Sequence, residues 1–169
     1  MLTQAQLAFV HSAAQAAVVA ERATGCIAEL TLAQACVESG WGKSVPNFNA
    51  LGIKADGGGS GVQYQISKEF INGTWETSEE AFETYASLTD CFIDHGRLIT
   101  DPHSVYNPCW HQFGLDHDVD GLITCVARKY ATDPGYSKLL LEISRYPELV
   151  SALSSARSIH SATVSPPTS

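Results

Sequence analysis

Leu32-Ala-Gln-Ala-Cys-Val-Glu-Ser-Gly-Trp-Gly42 is the stretch on which the reading of this chain turns. Its first half is apolar, and Gly40 is a helix stop, because glycine accepts the left-handed backbone that ends a helix. The stretch predicts a helix of about Ile27–Ser39 with Glu38 in its closing turn, beside the large ring of Trp41. A carboxylate there sits at the negative end of the helix dipole among apolar neighbours that solvate it poorly. Both effects disfavour the charged form and predict a raised pKa. An acid that keeps its proton near neutral pH can protonate a leaving oxygen, which is what cleavage of a glycosidic bond needs. The competing reading is a solvated glutamate at a helix end. Gly40, Trp41 and Gly42, following at once, make a costly and specific ending for a mere surface cap.

Upstream, Thr3 and Gln6 form a capping box, and Leu7, Val10, Ala14, Ala17 and Val18 share one helical face, predicting a first helix over Thr3–Thr24 stopped by Gly25. The same residues argue against a signal peptide: the start is not basic, and Gln4, Gln6, His11, Ser12 and Gln15 interrupt any apolar run. Downstream, the chain turns rich in glycine and asparagine from Trp41 to Gly61, with 57–61 reading as a flexible loop. Val62, Tyr64 and Ile66 alternate with Gln63, Gln65 and Ser67, predicting a strand to Phe70. Asn72-Gly73 predicts a hairpin turn, Trp75 opens the return strand, and Ala81–Tyr85 reads as a further short strand.

Helices then resume. Ser87 and Asp90 cap one with the face Leu88, Cys91, Phe92, His95, Leu98 and Ile99, ended by Asp101-Pro102. A variable loop carries Tyr106, Cys109 and Trp110, and a helix over Val119–Tyr130 follows. Asp133-Pro134 then starts a helix to about Tyr146 that uses Tyr136, Leu139, Leu140 and Ile143; Pro147 breaks it, and a short helix is expected before the tail. The layout is an α+β, mainly helical domain over residues 1–157, with a small β-hairpin lobe beside a cleft and a disordered Ser/Thr/Pro tail over 158–169.

Composition narrows the partners. A length of 169 residues, 44% hydrophobic and 17% charged, suits one domain with a real core. A net charge of −8, with no basic run, argues against nucleic acid and against capture by anionic membranes, and no segment is apolar enough to span one. The five cysteines have no close pairs; an odd number leaves at least one free, and no pairing follows from spacing. His95, His103, Cys109, His111 and His117 lack the short spacings of zinc ligands, so no metal and no cofactor is expected.

Glycosidic cleavage usually needs a second participant: a carboxylate, or a group that supports the substrate's own acetamide. Glu69, at the hairpin edge, is the candidate, against a solvated hairpin role; Glu76, Glu79, Glu80 and Glu83 read as solvent-facing charge. Tyr130, before the Asp133-Pro134 corner, is a candidate to orient an acetamide, against a core aromatic closing the corner. Trp41, Trp75, Tyr106 and Trp110 are candidate sugar platforms, with Trp41 favouring the core. Asn49 is either an acetamide partner or a turn residue.

The run Thr31–Ser44 resembles the catalytic helix of glycoside hydrolase family 73, the endo-β-N-acetylglucosaminidases that include flagellar peptidoglycan hydrolases, autolysins and phage lysins. Asn49–Ala55, Lys68–Trp75, Phe92–Leu98 and Tyr130–Leu139 resemble further blocks of that family in the same order, so the likeness covers about residues 5–145. Ala50-Leu51 departs from the family's usual Leu-Phe, and Tyr106–His117 follows no family pattern. The resemblance implies a lysozyme-like fold, hydrolysis of the β-1,4 bond between N-acetylglucosamine and N-acetylmuramic acid, and Glu38 as the acid. It aligns Glu69 with the second carboxylate of some members and Tyr130 with a supporting tyrosine. The implied partner is the peptidoglycan glycan strand. A lone catalytic domain without leader or wall-binding repeats is expected to be a monomer acting at the cell wall, reached by phage-type release or dedicated export, or else a domain cut from a larger protein. A muramidase or lytic transglycosylase of the same superfamily, and a non-catalytic wall-binding module, are the rival readings.

Overall fold

Helix α1 (Gln4–Thr24) is the axis of the structure, and alanine is the reason. Ala13, Ala14, Ala16, Ala17 and Ala20 are buried along it, and such small side chains let α2 (Ala28–Glu38), α3 (Leu88–Thr100) and α7 (Pro147–Ala162) pack closely against it. The computed structural model describes residues 1–71, 74–131 and 133–162, without the side chains of 67–71, 75, 76 and 162. Thr3 caps α1 through the expected reciprocal box with Gln6, and Gly25, at φ 83°, ends it.

Helix α2 is sunk in this core. Leu30, Leu32, Ala33, Ala35 and Cys36 are inaccessible to solvent, and each buried leucine contributes about 1.5–3 kcal/mol. Helices α4 (Asn107–Asp116), α5 (Val119–Tyr130) and α6 (Tyr136–Ser144) form the other flank, α5 packing on α4 and α6, and α6 reaching α2. Asp118 caps α5 by accepting from the Gly121 N–H at 3.0 Å. Ser87 caps α3 by accepting from Asp90. Among the described residues the one sheet is a hairpin of β1 (Gly61–Ile71) and β2 (Thr74–Thr84), antiparallel, with Gly61 opposite Thr84 and Ile71 opposite Thr74.

Four expectations about the elements are corrected. Ala81–Thr84 is the end of β2, not a separate strand, because its pairing with β1 is unbroken. The 106–117 stretch is helix α4, begun with proline in its first turn. Helix α6 starts at Tyr136, while Asp133 folds an Asx turn onto the Gly135 N–H at 2.8 Å. The chain after Pro147 is a sixteen-residue helix that runs to Ala162, into the expected tail. It is held there by Arg157, which bonds Glu21 of α1 at 2.9 Å and Glu29 of α2 at 2.8 Å. Residues 163–169 lie outside the described residues, as does the expected Asn72-Gly73 turn. The pairing that spacing leaves open is a Cys109–Cys125 disulfide that ties α4 to α5, while Cys26, Cys36 and Cys91 are free and buried.

Glu83, read as solvent-facing, is buried and organises the hairpin's root. Its carboxylate accepts from the Asp56 and Gly57 N–H groups at 2.8 and 2.6 Å. Burial pushes its pKa up, but the N–H groups of 56–59 together outweigh burial and hold it below the usual carboxylate range. The glycine loop is therefore a wrapping for this charge: a Cβ on Gly59 would meet Glu83 Oε2 at 2.4 Å and the Thr84 carbonyl at 2.7 Å. Backbone bonds from Glu83 to Ile53 (3.0 Å) and from Ala55 to Ala81 (2.9 Å) bind the 53–55 segment along β2.

Candidate active site

The end of α2 is built by its own sequence. Gly40 and Trp41, at φ 58° and 62°, turn back so that their N–H groups bond the carbonyls of Val37 at 3.0 Å and Cys36 at 2.7 Å. This is the Schellman closure, with a tryptophan forced into the left-handed region beside the glycine. Ser39 is buried; its hydroxyl donates to Ala35 O at 2.6 Å and accepts from the Gly42 N–H at 2.8 Å. Gly42 lies so close to Phe9 that a Cβ would stand 2.4 Å from the ring. Ser-Gly-Trp-Gly is thus a clamp that fixes the last helical residue, Glu38.

Glu38 keeps an open face toward a cavity of about 400 Å³ lined by Leu51, Ile53, Lys54, Asp56, Tyr106 and Tyr130, among others. The side chains around the carboxyl withdraw it from water and raise its pKa, against a hydrogen bond from Tyr136 that lowers it. That bond runs from the Tyr136 hydroxyl to Glu38 Oε1 at 2.5 Å. Burial, then the Glu38 charge, pushes the Tyr136 pKa well up, so the phenol stays a donor.

The sequence candidates fall in different places. Tyr130 lines the cavity, but its hydroxyl donates to the Leu51 carbonyl, and its ring stacks on Tyr136 with centroids 6.1 Å apart and planes 8° apart. It braces Tyr136 and the cavity floor, while Tyr136, which the sequence reading placed in the core, touches the acid. Tyr106 is buried in the cavity wall. Asn49 donates to Ile53 O at 2.9 Å and to Glu83 O at 3.0 Å, and its Oδ1 accepts from the Ile53 N–H at 3.0 Å. Its amide is committed to the turn and has no donor left for an acetamide, so the turn role is the one it fills. Trp41 stacks on Tyr146 (centroids 5.7 Å) at the α6–α7 corner and does not line the cavity. Trp110 packs on Phe113 and over Gly25. Glu69 pairs with Glu76, and Trp75 with Phe70, in the hairpin ladder; the side chains of Glu69 and Trp75 lie outside the described residues. Among the described residues no group of three or more His, Cys, Asp or Glu side chains is placed to hold a metal. Among the described residues no helix is long and apolar enough to cross a membrane.

Known proteins are similar to this chain in sequence and fold. The chain is 32% identical over 148 residues to an autolysin of Enterococcus faecalis, a match covering 82% of this chain and 20% of that protein. It is 30% identical over 150 residues to a probable N-acetylmuramidase of Lactococcus lactis subsp. cremoris, covering 83% of this chain and 33% of that protein. The chain therefore spans a third or less of the length of these relatives. A peptidoglycan hydrolase mutant from Sphingomonas sp. A1 superposes with a TM-score of 0.70 at 28% identity, over 88% of this chain and 99% of that one. The model of the glucosaminidase family, described as mannosyl-glycoprotein endo-beta-N-acetylglucosaminidase, matches residues 14–149. The chain belongs to the glucosaminidase family, as the resemblance to glycoside hydrolase family 73 anticipates.

Proposed function

We propose that this chain is a peptidoglycan hydrolase that cleaves the β-1,4 bond between N-acetylglucosamine and N-acetylmuramic acid, with Glu38 as general acid. The observation that carries the reading is a carboxyl fixed at a clamped helix end, opening onto a cavity, with its pKa raised and one oxygen held by Tyr136. Glu38 delivers its proton to the glycosidic oxygen as the bond breaks. Glu69 or the substrate's own acetamide stabilises the developing positive charge on the other face of the sugar, and water then bonds to the anomeric carbon and returns a proton to the site. Tyr136 aims the carboxyl, and Tyr130, through Leu51, holds the cavity floor beneath the sugar.

The setting follows from the same chemistry. A Cys109–Cys125 disulfide suits oxidising surroundings, which fits a monomeric enzyme acting at the cell wall. A net charge of −8 keeps it from sticking to polyanionic wall polymers.

The test is Glu38→Gln. Turbidity clearing of purified cell walls should fall by about 10²–10⁴-fold, the contribution of a positioned acid, while the circular dichroism spectrum stays unchanged. Retained clearing removes the proposal, and binding of sacculi without any sugar release leaves a wall-binding module instead. A second reading, cleavage of the alternate bond, is favoured by the Lactococcus relative's description as a probable N-acetylmuramidase. Mass spectrometry of released muropeptides separates the two: reducing-end N-acetylglucosamine supports the glucosaminidase, reducing-end muramic acid the muramidase, and anhydro-muramic ends a lytic transglycosylase.

A further inference from the structure

Asp56 is a second carboxylate on the wall of the Glu38 cavity, and the proposed chemistry gives it no task. Among the described residues that line this cavity, Glu38 and Asp56 are the two carboxylates, and no hydrogen bond joins them. The loop holds Asp56 from two sides. Its N–H donates to Glu83 Oε1 at 2.8 Å, so the buried charge at the hairpin's root sets its place. Its Oδ1 accepts from the Gly58 N–H at 3.1 Å, an Asx turn that fixes the side chain. Asp56 is exposed, and its Oδ2 has no partner among the described residues.

An N-acetylated sugar brings an amide donor, the acetamide N–H, and enclosing that donor without an acceptor is costly. The side chains first suspected of meeting the acetamide are engaged elsewhere. The Asn49 amide bonds Ile53 and Glu83, and the Tyr130 hydroxyl donates to the Leu51 carbonyl. The Ile53 carbonyl already accepts from Asn49 at 2.9 Å and from the Glu83 N–H at 3.0 Å. The Lys54 ammonium brings donors and no acceptor. Glu38 has Oε1 on Tyr136, and its proton is meant for the glycosidic oxygen. Asp56 Oδ2 is left as a charged acceptor on the same wall, and a bond to a charged acceptor is the stronger kind.

We propose that Asp56 is a substrate-binding residue whose Oδ2, held over the cavity by the Asx turn to Gly58, accepts the acetamide N–H of the sugar bound beside Glu38. This rests on the reading of the chain as a hydrolase of N-acetylated glycan. The bond fixes the plane of the acetamide and draws electron density toward its carbonyl oxygen. That oxygen is then better placed to support the positive charge that develops at the anomeric carbon. The glycine loop thereby joins the hairpin's root to the site: Glu83 sets the loop, and the loop presents Asp56.

The experiment has two readouts. Proton NMR of chitotetraose bound to Glu38→Gln, alone and combined with Asp56→Ala or Asp56→Asn, reads the sugar's amide N–H directly. Steady-state kinetics of the single Asp56 variants use soluble glycan strands released from peptidoglycan by amidase digestion. With Asp56 present, one bound amide resonance should lie downfield of the free sugar's. The displacement should shrink in Asp56→Asn, a neutral acceptor in the same turn, and vanish in Asp56→Ala. Asp56→Ala should lose about 10- to 100-fold in kcat/KM, the worth of a hydrogen bond to a charged group, and Asp56→Asn about 3- to 10-fold. A resonance that stays downfield in Asp56→Ala overturns the inference. So does an Asp56→Asn enzyme equal to the parent, because asparagine keeps the Asx turn and the turn alone would then matter. Equal inactivity of both variants, with azide restoring cleavage as glycosyl azide, overturns it as well and makes Asp56 the base for water. If Asp56→Ala does not fold, Asp56→Asn decides by its resonance and its rate. Glu38→Gln on cell walls keeps the two readings apart. Full clearing there sinks the acid assignment, while an inactive Glu38→Gln with no displaced amide resonance sinks the Asp56 inference alone.

Discussion

The Tyr136 hydroxyl donates a 2.5 Å hydrogen bond to Glu38 Oε1, across 98 residues of sequence. The bond favours the carboxylate, so it opposes the burial that raises the Glu38 pKa. Tyr136→Phe removes that opposition, and the pKa rises further. Because the acid works protonated, the alkaline limb of kcat/KM should move to higher pH. A hydrogen bond to a charged group is worth about 1.5–3 kcal/mol, so losing its aim should lower kcat by about 10- to 100-fold. A pH–rate profile on soluble glycan strands checks both; a limb displaced to lower pH contradicts the bond's direction.

Glu38 also bears on stability. Its folded pKa is raised, so the folded chain holds this proton more tightly than the unfolded chain does. That contribution is complete below the unfolded carboxylate pKa and is lost as pH rises through the folded value. At pH 7 the ionised carboxylate is a burden to the fold. Glu38→Gln should therefore melt no lower than the parent at pH 7, and the difference should shrink toward pH 4. Calorimetry at the two pH values tests it; a variant clearly less stable at pH 7 contradicts the raised pKa.

What the sequence made legible was local. The capping box of α1, the Ser87 cap and the closure after Glu38 each depend on residues within a few positions of one another. Tyr136 escaped because its spacing with Leu140 and Ile143 is that of an ordinary core face; only the packing of α6 on α2 turns its hydroxyl to the acid. Glu83 escaped because charge on a strand reads as solvent-facing, whereas its burial comes from a glycine loop 26 residues upstream folding over it. Pro108 just after Asn107 was a readable start for α4, and with α4 in place Cys109 comes beside Cys125.

Arg157 holds α7 to α1 and α2 through paired bonds to Glu21 and Glu29. Burial pushes the Glu29 pKa up, but the guanidinium outweighs it and leaves it below its ordinary 4.5. A depressed carboxylate stabilises the fold above its unfolded pKa, and that stability is lost as pH falls through the folded value. Arg157→Met should cost about 1 kcal/mol at pH 7, lowering the melting temperature by about 2–4 °C. The difference from the parent should narrow below pH 4.5 and at high salt. A gap that does not change with pH would mean the arginine acts through its aliphatic stem alone.

The Cys109–Cys125 disulfide closes a loop with a sequence separation of 16. In the chain-entropy account such a loop contributes about 3 kcal/mol, so a thiol reductant should lower the melting temperature by about 6–12 °C. A Cys109→Ala, Cys125→Ala double variant should start near the reduced value and ignore reductant. A parent insensitive to reductant would show that α4 and α5 hold together without the bond.

Two glycine substitutions of equal chemistry should move stability in opposite directions. Gly59→Ala drives a Cβ to 2.4 Å from Glu83 Oε2 and 2.7 Å from the Thr84 carbonyl. Neither neighbour can withdraw, since Glu83 is pinned by backbone N–H groups and Thr84 belongs to β2. The expected loss is about 1–3 kcal/mol, and because the 53–55 segment that floors the cavity is tied to β2 beside Glu83, KM should rise as well. Gly114 lies inside α4 with nothing within 4 Å of an added Cβ, so Gly114→Ala should gain about 0.5–1 kcal/mol with KM unchanged. Urea midpoints with a common slope decide between the outcomes. A neutral Gly59→Ala would mean that the loop is not wrapped on Glu83, and the anchoring of the hairpin lobe to the cavity would have to lie elsewhere.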